Sequence, residues 1–120
     1  MADSAKCLLQ ATATATPGGT DWSSVTSIYT VPDRASAVIS SIVLCEGANG
    51  TGILFQVGLF MDSTLMSSLV IGKNLLFYDQ GIGAKETKII SAGITMDERN
   101  VLAITSSGTV GVNVFGVETR

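Results

Sequence analysis

The sequence predicts an all-β protein, a single antiparallel β-sandwich of jelly-roll or immunoglobulin-like type. Three observations carry that prediction. Short apolar segments recur with period-two alternation. Turn-forming clusters separate them at near-regular spacing, with no long helical stretch between them. The chain, at 120 residues, has the length of one ordinary domain and can bury a sizeable core without a metal or a disulfide.

The elements follow in order. The segment AKCLLQATATAT alternates, with Cys7, Leu9, Ala11, Ala13 and Ala15 on one side. Lys6, Leu8, Gln10 and the threonines fall on the other, so the segment is extended. Its apolar side shrinks to alanine, which buries little area. Residues 1–16 are therefore read as an N-terminal strand or arm, and 17–120 as the β-sandwich domain. Removal of the arm is expected to leave the sandwich folded. Pro17-Gly18-Gly19 breaks the strand, and a polar loop with Trp22 follows.

Residues 27–31 form a short strand stopped by Pro32, which has no N–H to give to a ladder. Residues 36–45 form a long strand without a wet side. Val38, Ile42 and Leu44 point one way, and Ala37, Ile39, Val43 and Cys45 the other. Asn49-Gly50 signals a hairpin, because both positions tolerate positive φ. Residues 53–61 put Ile53, Phe55, Val57, Leu59 and Met61 on one face. The stretch 62–74 fits either a strand or one to two helical turns, with Asp62 or Ser63 as N-cap and Gly72 as C-cap. Strands over 75–78 and 87–91, a charged turn at 97–100, and strands over 101–105 and 110–117 bring the total to seven or eight.

Composition narrows the partners. Hydrophobic residues make up 46% of the chain and charged residues 14%, against about 25% charged in typical soluble domains. The surface is therefore built from Ser, Thr, Asn and Gly, or is partly covered by partners. Net charge is -3 and the basic residues are scattered, so no cluster can displace counterions from a phosphate backbone. Direct nucleic-acid binding is not expected. The opening MADSAKCLLQ has an acid at Asp3 and no apolar run, and does not read as a signal peptide. No stretch reaches 18 apolar residues, so no membrane partner is expected. Cys7 and Cys45 fit two core thiols or one bridge.

No pattern for catalysis emerges, and no enzyme activity or cofactor is expected. The chain contains no histidine, which removes the commonest general base and metal ligand. Gly72-Lys73-Asn74 lacks the upstream glycine and the Ser or Thr of a phosphate loop. Gly81-Ile82-Gly83 starts like a dinucleotide fingerprint but lacks its third glycine. Asp97 and Glu98 are adjacent carboxylates in a polar turn, where solvation is the ordinary state. Asn49-Gly50-Thr51 matches a glycosylation acceptor, but the hairpin turn explains it better. Trp22 fits a core cap or an interface anchor.

The stretches YTVP (29–32), SAVISSIVLC (36–45), FYD (77–79), GITM (93–96) and NVFGVE (113–118) resemble small β-sandwich structural proteins of tailed-bacteriophage virions. The likeness runs from about Lys6 to Glu118 and is one of β patterns. The segment 62–74 departs from it, being longer and more apolar. The resemblance implies a capsid cement or decoration protein, assembled in the host cytoplasm and located in the virion. It implies a homo-oligomer, often a trimer, bound to the major capsid protein. A neck, tail or fibre-attachment protein, including a host-glycan-binding module, is the alternative. Candidate interface residues are Leu9, Ala11, Ala13 and Ala15 of the arm, Trp22, and Ile39 and Val43 on the second face of the long strand. An arm of alanine and threonine suits strand addition to a neighbour, where main-chain hydrogen bonds supply affinity.

Overall fold

The computed structural model describes residues 3–46 and 52–120, with side chains for 6–46, 52–91 and 93–120. The Asn49-Gly50 hairpin and the glycosylation motif lie outside the described residues. Nine strands are present among them: β1 (Asp3–Thr12), β2 (Thr14–Ala15), β3 (Ile28–Thr30), β4 (Ser36–Glu46), β5 (Ile53–Phe60), β6 (Leu75–Ile82), β7 (Thr87–Met96), β8 (Val101–Ser106) and β9 (Val110–Thr119). Sheet A has the order β1-β9-β4-β7, and sheet B the order β2-β8-β5-β6, with β3 also paired to β8. All pairings are antiparallel except the two-residue contact of β2 with β8.

From β1 onward the chain passes repeatedly from one sheet to the other, and β5–β6 is a hairpin that stays within sheet B. That is the strand order of a jelly roll, which decides between the two sandwich types the sequence allows. The main core fills the space between the sheets. Ile39, Ile42, Leu44, Val112 and Val114 of sheet A meet Phe55, Val57, Leu102 and Ile104 of sheet B, all buried. Each such side chain contributes about 1.5–3 kcal/mol on leaving water.

A second, smaller core lies on the far side of sheet B. Trp22, Val25, Met66 and Leu69 come from two loops and cover Phe60, Val101 and Ala103. The loops are zipped together by backbone bonds, Trp22 N to Met66 O at 2.6 Å and Leu69 N to Thr20 O at 2.8 Å. Trp22 meets Phe60 at 5.9 Å between ring centroids, tilted at 55°. Gly58 leaves room for this packing, because a Cβ there would stand 3.1 Å from Trp22 Cζ3. Every residue of β8 is buried, since both faces of that strand are covered.

Sheet A carries a transverse line of bulges. Against β9, the register of β1 shifts between Cys7 and Leu9, and that of β4 between Ile39 and Ser41. The β1 shift falls between Phe115 and Val114 and the β4 shift between Gly116 and Phe115, one step apart along β9. Against β7, the shift between Ile39 and Ser41 meets Ile94 and Ser91. An extra residue in a strand moves the side chains after it to the opposite face. In β4, Ala37 and Ile39 face the core before the bulge, and Ile42, Leu44 and Glu46 after it. Val38, Ser40, Val43 and Cys45 face outward. The long strand therefore has an outer side, and its two-sided apolar pattern results from this change of phase. The bulges are held by side chains. Ser40 Oγ donates to Phe115 O at 3.1 Å, and the Cys7 thiol donates to Leu9 O at 3.3 Å.

Other expectations are corrected. Of the strand and arm alternatives, residues 3–15 take the strand: β1 pairs with β9 along its length, and Thr14 is tied by its backbone N to Ser27 Oγ at 2.9 Å. The bulge turns Cys7 away from Leu9, and both cysteines are free and exposed, not core thiols. Met61 lies past the end of β5 and is exposed. In 62–74, Asp62 caps a 3-10 turn, Ser63–Ser67, accepting from Thr64 N. Gly72 sits inside a single helical turn, Ile71–Asn74, and not after it.

Candidate functional site

The polar motifs are committed to holding the fold. Glu98 Oε2 accepts from Arg34 N at 2.8 Å, which ties the 97–100 turn to the turn before β4. Asn74 accepts from Val70 N at 2.8 Å and donates to Leu59 O at 3.2 Å, so the Gly72-Lys73-Asn74 turn is anchored to β5. Gly81 and Ile82 are strand residues of β6, and Lys85 N donates to the buried Glu46 carboxylate at 3.0 Å. A recess of about 230 Å³ lies among residues that include Thr16, Trp22, Gln56 and Tyr78. That is below the roughly 300–1,000 Å³ of small-molecule pockets, and the larger recesses beside Ile53 and beside Arg34, of about 560 and 630 Å³, lie wide open to solvent. Among the described residues, no three of His, Cys, Asp and Glu group as metal ligands, and no buried side-chain N or O lacks a partner.

One buried charge bridges the two sheets. Glu118 of β9 is 6% exposed. It accepts the Tyr29 hydroxyl at 2.6 Å and Lys6 Nζ at 3.2 Å, with the Arg120 guanidinium at 3.7 Å. Tyr29 lies in β3 of sheet B, so the pair clasps the sheets along one margin. The phenol's hydrogen bond holds the Glu118 carboxyl below its ordinary 4.5, against the opposing effect of burial. Burial, and then the bond to Glu118, raise the Tyr29 phenol above its ordinary 10.0. These groups satisfy one another and leave no group poised for chemistry.

The outer face of sheet A is different in kind. Among its described outward side chains none is charged. Val38 of β4, Ile89 of β7 and Phe115 of β9 are 46%, 65% and 39% exposed. Val43 pairs across to Asn113 and Ile89, and Val38 to Val117. Ser40, Ser91, Thr95, Thr87 and Gln10 surround them. Solvated faces of antiparallel sheets ordinarily read as polar against the apolar inner face. This one mixes β-branched and aromatic side chains with small hydroxyls. Cys7 and Cys45 lie on the same face. By strand geometry they stand roughly 16 Å apart, too far to bridge within one chain.

The predicted interface residues separate into groups. Trp22 and Ile39 are buried in this chain's own cores and offer nothing to a partner. Ala13 is buried, and Leu9 packs against the main core. Ala11 is half-buried and Ala15 exposed. Val43 lies on the uncharged outer face. Sequence reasoning missed Val38, Ile89 and Phe115. The signal that points to them is the absence of charge from SAVISSIVLC, IISAGITM and VGVNVFGV, the bodies of β4 and of the β7 and β9 strands that flank it.

No family model, no curated protein and no solved structure matches the chain. Fold and surface together define its class: an all-β jelly-roll domain with one sheet partly covered by its own loops and the other bearing a partly apolar face with no charge among its described outward side chains.

Proposed function

We propose that the chain is a structural protein of a tailed-phage virion, a cement or decoration protein that binds the capsid shell as an oligomer. The observation that carries the reading is the outer face of sheet A. Exposed Val, Ile and Phe side chains without charge suit the dry core of a lasting protein–protein contact, where charged residues are depleted. The jelly roll is compatible, being a scaffold of viral capsid domains among others. The sequence likeness supplies the assignment to a phage particle. A glycan-binding role is less well supported, since Trp22 is packed inside and presents no ring face to a sugar.

The test uses capsids assembled without this protein. Purified chain mixed with them is expected to co-sediment and to raise their resistance to thermal rupture. Failure to bind heads overturns the shell assignment. Uptake by tails or necks alone would move the protein to the tail side of the particle.

A further inference from the structure

We infer that the outer face of sheet A is the surface through which one copy of this chain meets a second copy. The inference rests on the part of the proposed function in which copies associate, and it names the surface.

Three arguments lead there. First, Val38, Ile89 and Phe115 stay exposed on the outside of sheet A with no charge among its described outward side chains, whereas the exposed apolar side chains on the sheet B side, among them Leu54, Val70, Ile71, Leu76 and Tyr78, lie among Asp62, Lys73 and Asp79. Second, the size fits. Strands of about ten residues, at roughly 3.3 Å rise and 4.8 Å spacing, make a four-strand face of about 600 Å² before side-chain relief is added. A standard interface takes about 800 Å² from each partner. Third, the chemistry matches itself. A contact between copies brings the same patch to both sides in its simplest form, and a patch of one charge would then repel itself. The described side chains of this patch carry no charge to desolvate. It offers an acidic or basic partner no counter-charge, while its apolar groups and hydroxyls pair well with their own kind.

The experiment is a concentration series of the full chain by light scattering and sedimentation. A pair that dissociates on dilution is expected. Ile89→Lys and Val38→Glu each place a charge on the face at a solvent-exposed position, so each single chain should keep its fold, checked by circular dichroism. Burying such a charge unpaired should weaken association roughly a hundredfold or more. Leu54→Lys, 46% exposed on sheet B, should leave association unchanged. Cys7 and Cys45 give a second readout, since both are exposed in the single chain and should label more slowly as concentration rises. A monomer at every concentration overturns the inference, as does an oligomer indifferent to Ile89→Lys with both thiols still reactive. A monomer that still coats capsids would overturn this inference and the oligomeric part of the proposed function, and leave its shell-binding part standing. A self-associating chain that binds no capsid would do the reverse.

Discussion

Gly116 is the most constrained position in sheet A. A Cβ there would collide with the Val38 carbonyl and crowd Leu8 and Ile39. Its neighbours on both sides are bulged, so neither can retreat without breaking its own ladder. Gly116→Ala is expected to cost about 1–3 kcal/mol, as overpacking does, seen as a lower urea midpoint. Gly72→Ala is the control. Its Cβ would meet nothing within 4 Å, and in a helical turn the change should be neutral or stabilise by up to about 1 kcal/mol. Glu118 and Tyr29 set a pH window. The Glu118 pKa is depressed in the fold, so its contribution is present above 4.5 and is lost as pH falls through the lower folded value. The Tyr29 pKa is raised, so its contribution is present below 10.0 and is lost as pH rises towards the folded value. Stability should therefore fall on both sides of neutrality. Glu118→Gln should flatten the acid limb, and thermal melts across pH test this.

At the scale of elements, the two loops over sheet B act as one lid with Trp22 as its anchor. Trp22→Ala is expected to cost about 3–5 kcal/mol. Before mutation, Trp22 emission should be blue-shifted and resist acrylamide quenching. Strand β1 is expected to matter more than its alanines suggest. It matches β9 at nine positions, and removing residues 1–12 would bare that ladder. The truncated chain should melt lower and aggregate through the opened edge, which light scattering during heating would record. Much of this architecture was legible in the sequence. The β5 alternation, the stop at Pro32, the Asp62 cap and the charged turn each follow from residues close in the chain. The bulges were not, because Ser40-Ser41 looks the same whether or not one residue is extra. Counting parity through the bulge put Ile39 and Val43 on one face, and the same error joined Cys7 to Leu9. Strand β7 looked shorter than it is because Ser91 and Gly93 resemble a break. The burial of Trp22 depends on Met66 and Leu69, more than forty positions further along the chain, and no local pattern reports such a meeting.

For the whole molecule, the scarcity of charge bears on how it should respond to solvent. Salt screens ionic contacts, and the described outward side chains of sheet A offer none to screen. If copies meet there, sodium chloride should leave the association constant nearly unchanged. Ammonium sulfate should strengthen it by favouring burial of apolar surface. Sedimentation at several salt concentrations distinguishes this from contacts made through Arg34, Asp97, Glu98 and Arg120, which cluster at one end of the sandwich and would weaken in salt.

The line of bulges through β1, β4 and β7 has a mechanical consequence. A regular ladder can creep under load by sliding one strand two residues past the next, because the side chains then return to equivalent faces. Extra residues set at the same level in successive strands act as a row of detents. To slide past β9, β4 would have to carry its bulge over Gly116, where the backbones touch most closely. Tension along the strands is thus resisted by the shape of the backbone as well as by its hydrogen bonds. Pulled in shear, sheet A should hold and then give way abruptly, with little gradual slip beforehand.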